Sequence, residues 1–237
     1  MKKAIVSGAN GFVGSAVVKE LISQGYEVYA LARENHYDQI PINEMVRIVP
    51  FSLENIEALG EVIPVNEYEA FYHFAWNGSA GVDRADTALQ LKNAQWTVEC
   101  LQLAKRLGCK RFVPAGSIME HETIAAVYTQ GNRPGAGYIY GSGKVAAHMM
   151  CMSMAVKEGI DLVWPKITNA YGPGERSPRL VNSAIRKCIV GEVPQFTAGT
   201  QNYDFVYIDD VARAFRLIGE RGKPFHHYLI GSGKAKV

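Results

Sequence analysis

Seven residues near the start of the chain, Gly8-Ala-Asn-Gly11-Phe-Val-Gly14, constrain its fold more than any other feature. They follow Lys3–Ser7, a short apolar run that reads as a buried strand. They lead into Phe12–Gln24, where Phe12, Val13, Ala16, Val17, Val18, Leu21 and Ile22 form a helical stripe that Gly25 stops. Glycines between a first strand and a first helix permit a tight turn, close approach of backbone to a pyrophosphate, and close helix–strand packing. The helix N-terminus then presents free N–H groups and a positive dipole end to the anion. Three glycines alone would say little; their place on the first strand gives them weight.

Strand and helix patterns go on alternating. Glu27–Ala32, Val46–Phe51, Glu69–Ala75, Arg111–Ala115 and Asp161–Lys166 read as strands, and Thr87–Leu107 and Tyr140–Lys157 as long helices. Such alternation predicts an α/β fold, a Rossmann-type doubly wound parallel sheet with right-handed crossovers. After Asn169 the texture changes, with Pro and Gly at Gly172-Pro173-Gly174 and Pro178. The reading there is a helix over Arg179–Val190, short strands near Gln195–Thr197 and Phe205–Tyr207, a helix over Val211–Glu220 capped by Asp209-Asp210, and a strand at His227–Ile230. The expected division is a dinucleotide-binding domain over 1–168 and a small substrate lobe over 169–237.

Composition narrows the class. With 48% hydrophobic residues in a chain of 237 and a net charge of +2, general disorder is ruled out and a dedicated nucleic-acid surface is disfavoured. No apolar run approaches a membrane span, and the one after Lys2 and Lys3 stops at Ser7-Gly8, too short for a signal-peptide core. Cys100, Cys109, Cys151 and Cys188 form no CxxC pair, so the expectation is reduced thiols in a cytoplasmic protein and no metal site.

Two places bear on chemistry. At the end of the second strand, an acid would bond the adenosine ribose and an arginine would pair with a 2′-phosphate; the chain has Ala32-Arg33, which favours NADP while leaving NAD possible. Tyr140-Gly-Ser-Gly-Lys144 opens a helix, and residues at i and i+4 share a face, so phenol and ammonium can point into one cleft. A nearby ammonium favours the phenolate. Ser117 falls just past the fifth strand, at the carboxyl edge where open sheets bind ligands. Gly141-Ser-Gly-Lys144 and Gly231-Ser-Gly-Lys234 look like ATP-loop fragments, but Tyr138 and Tyr228 stand where that loop needs its first glycine, and Val145 and Ala235 where it needs Ser or Thr. His73, at the end of the fourth strand, reads as a packed turn residue, Trp76 and Trp96 as core or interface residues, and His226-His227 as a strand-edge pair rather than a metal site, since no carboxylate or cysteine cluster accompanies it.

As a set, the glycine loop, His73-Phe-Ala-Trp76, Asn93, Ser117, Tyr140-x-x-x-Lys144, Asn169-Ala-Tyr-Gly-Pro-Gly174 and Tyr203-Asp-Phe-Val-Tyr-Ile-Asp-Asp210 resemble the extended short-chain dehydrogenase/reductases of the nucleotide-sugar epimerase/dehydratase family, over essentially the whole chain. The resemblance implies that Tyr140 is the acid/base, that Lys144 binds the nicotinamide ribose and that Ser117 positions the substrate hydroxyl. It implies dinucleotide contacts at Gly8, Asn10, Gly11, Phe12, Val13, Gly14, Phe74, Ala75 and Asn93, and substrate contacts at Asn169 and Arg179. It also implies that His73 is a neighbour of the cofactor, beside its reading as a packed turn residue.

Departures from the family pattern shape the choice of reaction. The dehydratases carry Asp-Glu directly after the catalytic Ser/Thr; here Ile118 and Met119 stand there and cannot transfer a proton, with Glu120 one residue out of register. Tyr203 replaces the arginine that clamps the substrate diphosphate, leaving Arg176 or Arg179 as substitutes. The family usually runs some tens of residues past the strand matching His227–Ile230, so the lobe is expected to be reduced or truncated. The expectation is an epimerase or a 4-ketoreductase acting on a nucleotide sugar, with a non-catalytic dinucleotide sensor or RNA-binding relative as the alternative. A homodimer is expected because Val145–Val156 is apolar nearly all round, with only His148 and Ser153 polar, and needs cover on two sides.

Overall fold

A computed structural model describes residues 1–200 and 202–233. Its strands in chain order are β1 (Lys3–Ser7), β2 (Glu27–Ala32), β3 (Val46–Pro50), β4 (Ala70–His73), β5 (Arg111–Pro114), β6 (Gly116–Ser117), β7 (Asp161–Leu162), β8 (Trp164–Ile167), β9 (Asn169–Tyr171), β10 (Phe205–Tyr207) and β11 (His227–Ile230). The helices are α1 (Phe12–Ser23), α2 (Leu59–Val62), α3 (Thr87–Arg106), α4 (Met119–Tyr128), α5 (Ile139–Glu158), α6 (Leu180–Ile189) and α7 (Ile208–Arg221).

Among the described residues the main sheet has six strands in the order β3-β2-β1-β4-β5-β7, and every pairing is parallel. A second parallel sheet, β11-β8-β6, continues from the carboxyl ends of β5 and β7. The strands carry apolar side chains on both faces, as a sheet sandwiched between helices requires. Ile5, Phe71 and Phe112 enter one core with Cys100, Leu101, Ala147 and Cys151 of α3 and α5. Ala4, Val6, Tyr72 and Val113 enter the opposite core with Val17, Leu21, Val211 and Phe215 of α1 and α7. The doubly wound prediction therefore holds.

Several local expectations do not. Gln195–Thr197 forms no strand; the segment is irregular and exposed at Val193 and Phe196. The strand expected over Asp161–Lys166 breaks at Val163, passing from the main sheet to the second. The helix expected from Val211 starts at Ile208, so Asp209 and Asp210 fall in its first turn and make no side-chain cap bond, although their charge still suits the dipole. Of the segment after 168, α7 packs in the core with α1 and β11 pairs with β8, while β9, β10 and α6 stand over the carboxyl edge of the sheet. Lys234 and Ala235 of the second ATP-loop-like fragment lie outside the described residues.

Candidate active site

One cleft of about 1190 Å³ runs along the carboxyl edge of β1, β2, β4 and β6, roofed by the segment 174–182 and by Tyr203 and Phe205. At its floor the glycine loop is packed by the protein's own backbone. Gly8 has φ +67°, and a Cβ there would stand 2.7 Å from the amide nitrogen of Ala75; a Cβ on Gly14 would collide with the carbonyl of Gly8. Gly11 differs: a Cβ would meet nothing nearer than the Gly8 carbonyl at 3.1 Å. It is the N-cap of α1, with no side-chain cap and no acid in the first turn. A helix N-terminus with bare glycine backbone opening on a cleft fits a pyrophosphate, so the residues present suit a dinucleotide.

Gly8, Asn10, Gly11, Phe12, Val13, Gly14, Arg33, Phe74 and Ala75 all line this cleft, as do Ser117, Tyr140, Lys144, Asn169 and Arg179. Asn93 does not; it is buried, and its amide bonds both the N–H and the carbonyl of Asn77, bracing the loop after β4. Asn10 spends its side chain locally too, accepting from the Gln39 N–H at 2.7 Å and donating to Asp38 at 2.9 Å. Asp38 pairs in turn with Arg176, and these partners hold its carboxyl down at about 2. Of the two arginines considered for the substrate diphosphate, Arg176 is thus taken, while the ion pair of Arg179 among the described residues is a loose one with Glu175 at 3.8 Å. His73 is buried, bonded to the Ser7 hydroxyl at 2.7 Å, and burial pulls it down to about 3, so it is neutral.

Tyr140 and Lys144 share one face of α5 as the spacing predicts, but they are not each other's nearest polar partners. The Lys144 ammonium donates to the Ala115 carbonyl at 2.9 Å and lies 3.5 Å over the Trp76 ring, against 5.8 Å from the Tyr140 ring. Burial draws Lys144 down to about 7. Trp76 is therefore a cleft residue as well as a packing one, its indole N–H held by Gln90. Burial raises the Tyr140 phenol, opposed by the charges of Arg84 and Arg179 and by the Ser117 hydroxyl. The glycines at 141 and 143 serve packing: Gly141 lies against Thr123 of α4, and a Cβ on Gly143 would stand 3.0 Å from Gln90 of α3.

Sequence reasoning missed two charged residues here, Arg84 and Glu122, and left the role of a third, Glu120, open. Arg84, in a 3₁₀ turn (Val82–Ala85), places its guanidinium 4.0 Å over the Tyr140 ring. Glu122 of α4 lines the cleft. Glu120 is 1% exposed and points the other way: its Oε1 accepts from the Ser117 N–H at 2.9 Å and from the Trp164 indole at 3.0 Å, and its Oε2 meets His148 at 3.0 Å and Lys166 at 3.3 Å. His148 stacks flat on Trp164, and His121 and His227 flank the cluster. Burial alone would raise the Glu120 carboxyl, but His148, Trp164, the Ser117 N–H and Lys166 together hold it below its ordinary value. The out-of-register glutamate is thus a brace behind Ser117 and does not face the cleft.

A parallel sheet with a glycine-lined helix N-terminus at its carboxyl edge, and Ser, Tyr and Lys around one cleft, defines the extended short-chain dehydrogenase/reductase class. The chain belongs to the NAD dependent epimerase/dehydratase family, whose pattern matches residues 4–231. CDP-abequose synthase of Salmonella muenchen is 27% identical over 247 aligned positions, which cover 99% of this chain and 76% of the synthase. UDP-glucuronic acid decarboxylase 1 of Xenopus tropicalis is 26% identical over 219 positions, covering 89% of this chain; this chain spans about half of the decarboxylase, 52%. Among solved structures, the UDP-N-acetylglucosamine 4-epimerase of Methanobrevibacter ruminantium M1, in complex with UDP-N-acetylmuramic acid, superposes with a TM-score of 0.82 at 20% identity, covering 99% of this chain and 78% of that one. The Bordetella bronchiseptica enzyme WbmF, in complex with NAD+, gives 0.81 at 22% identity, covering 99% and 74%. These structures share the fold.

Proposed function

We propose that this chain is a nucleotide-sugar epimerase or 4-ketoreductase with Tyr140 as its acid/base. The observation that carries the reading is the Tyr140 phenol lining the cleft beside Ser117, with the Arg84 guanidinium 4.0 Å over its ring; burial raises the phenol, and Arg84, Arg179 and the Ser117 hydroxyl oppose that rise. When bound, the nicotinamide supplies the acceptor or donor of hydride. Tyr140 Oη takes or returns the proton of the sugar hydroxyl, and Ser117 Oγ hydrogen-bonds the reacting oxygen. Lys144 holds the nicotinamide ribose, and the backbone at Gly11 and the first turn of α1 hold the pyrophosphate. The lobe after residue 168 carries the nucleotide sugar through Asn169 and Arg179. Dehydration is disfavoured because Ile118 and Met119 line the cleft where a proton-transferring pair would stand.

Arg33, exposed in the cleft wall at the end of β2 with no acid at Ala32, favours NADP and with it the reductase; NAD dependence in the family and a 4-epimerase among the structural relatives favour the epimerase. A panel of UDP-, dTDP- and CDP-sugars with their 4-keto forms, followed by dinucleotide absorbance and product NMR, separates them. Epimer formation without net absorbance change supports the first and stoichiometric loss of NADPH absorbance the second. No turnover with any member overturns both in favour of a dinucleotide sensor.

The functional unit is proposed to be a homodimer. Leu91 of α3 and Met149, Met150 and Val156 of α5 are exposed, and Leu91 and Met150 line a groove between the two helices with Val98 and Ala146 and with the polar Gln95, Glu99 and Gln102. A second copy of the same two helices would cover them with two-fold symmetry. Light scattering should give about twice 26.1 kDa; a monomer mass at micromolar concentration excludes a stable dimer.

A further inference from the structure

The charged and titratable groups around Tyr140 come from five elements. Lys144 lies on its own helix, Ser117 on β6, Glu120 and Glu122 on α4, Arg179 at the start of α6, and Arg84 in the 3₁₀ turn before α3. Lys144 is engaged elsewhere, on the Ala115 carbonyl and the Trp76 ring, and burial leaves it only partly charged near neutral pH. Arg84 is the group whose cation lies on the phenol ring itself, at 4.0 Å. Among the described residues no carboxylate forms an ion pair with Arg84; its Nη1 donates to the Ser79 carbonyl at 3.0 Å. A guanidinium also keeps its charge when partly buried, whereas an ammonium readily loses it.

A cation over a neutral phenol is attracted by the ring quadrupole. Ionisation spreads negative charge into that ring, so the attraction becomes one between opposite charges at close range, and the cation favours the ionised form. The position of Arg84 is set from below. Gln90, 1% exposed on α3, donates to the carbonyls of Gly78 and Asp83 at 3.0 Å each and accepts from the Trp76 indole at 2.8 Å. One buried amide therefore fixes both the turn that aims Arg84 and the ring that takes up Lys144.

We propose that Arg84, acting through the Tyr140 ring, is the principal cation stabilising the Tyr140 phenolate, ahead of Lys144. The importance of this for turnover rests on Tyr140 being the acid/base; the ionisation itself does not. The test is an NMR titration of protein labelled with [13Cζ]tyrosine, the Tyr140 resonance being assigned by its loss in Tyr140→Phe. Arg84→Gln should raise the Tyr140 midpoint by about one pH unit or more, the scale of losing an opposite charge at close range. Arg84→Lys should raise it by less, and it reads the same coupling if Arg84→Gln does not fold. Lys144→Met should move it less than Arg84→Gln does. An unmoved midpoint in Arg84→Gln, or a larger shift in Lys144→Met, overturns the proposal. Full turnover in Tyr140→Phe would instead remove the acid/base reading and leave the titration result standing.

Discussion

At the dinucleotide end of the cleft the wall is buried backbone, with Gly8 pressed on Ala75, Gly14 on Gly8, and Ser117 pinned from behind by a carboxylate that is 1% exposed. At the substrate end it is exposed side chain. Helix α6 has no buried residue, and Leu180, Ile185 and Ile189 stand at 49%, 52% and 77% exposure. Around Gly8 and Gly14 the first end can change little, because an added atom there meets main chain. The second can change freely, because its side chains touch solvent. On the proposed function, the difference separates two kinds of information: geometry for the shared chemistry in the packed half, and choice of sugar nucleotide in the open half.

The comparison can be strained at four points. The largest effect belongs to the seam. Tyr140→Phe should cut turnover by about 10²–10⁴-fold with dinucleotide affinity retained, measured by steady-state kinetics and calorimetric titration; near-wild-type turnover refutes its role. Next is the packed half. Glu120→Gln should destabilise the protein by about 3 kcal/mol at pH 7, since it leaves Lys166 buried without its counter-charge. The folded state holds the Glu120 carboxyl below its ordinary value, so its contribution is present above about pH 4.3 and is lost as pH falls through the lowered folded value. Melting curves of the two proteins should therefore converge towards acid; a gap independent of pH would contradict the charge argument.

A smaller effect is expected at the rim. Arg33→Ala should weaken NADP binding by about 10–100-fold and NAD binding much less, as for loss of a charge-assisted phosphate contact. Equal losses would assign Arg33 to the solvated loop. The smallest lies in the open half: Ile189→Ser should change stability by less than about 0.5 kcal/mol, read by urea unfolding. A loss of several times that would mean α6 is not the free surface its exposure indicates.

What could be read from sequence followed apolar order. The six-stranded sheet, both cores and the pairing of Tyr140 with Lys144 on one helix face all come from periodicity and glycine placement, which a sheet buried on two faces enforces. Helix α4 was illegible for the opposite reason. Its buried residues are Glu120 and Thr123, while Ile124, Val127 and Tyr128 face out, so its apolar pattern points away from the protein. Gln195–Thr197 failed because alternation cannot supply a neighbouring strand to pair with. The surroundings of Tyr140 were half legible: spacing brings Lys144 to the same face, but the carbonyl of Ala115 and the ring of Trp76 that draw its ammonium aside come from other elements of the fold.

That ammonium, 3.5 Å over the Trp76 indole, gives the protein a built-in optical reporter. A positive charge held against one face of an indole shifts its emission, and the shift depends on where the charge sits. Any molecule that draws Lys144 off the ring as it fills the cleft changes the colour and yield of one tryptophan. Trp164, sealed beneath His148, and Trp96, 5% exposed within the core, do not line the cleft. Occupancy of the cleft can thus be followed in an unlabelled sample, before any substrate is known.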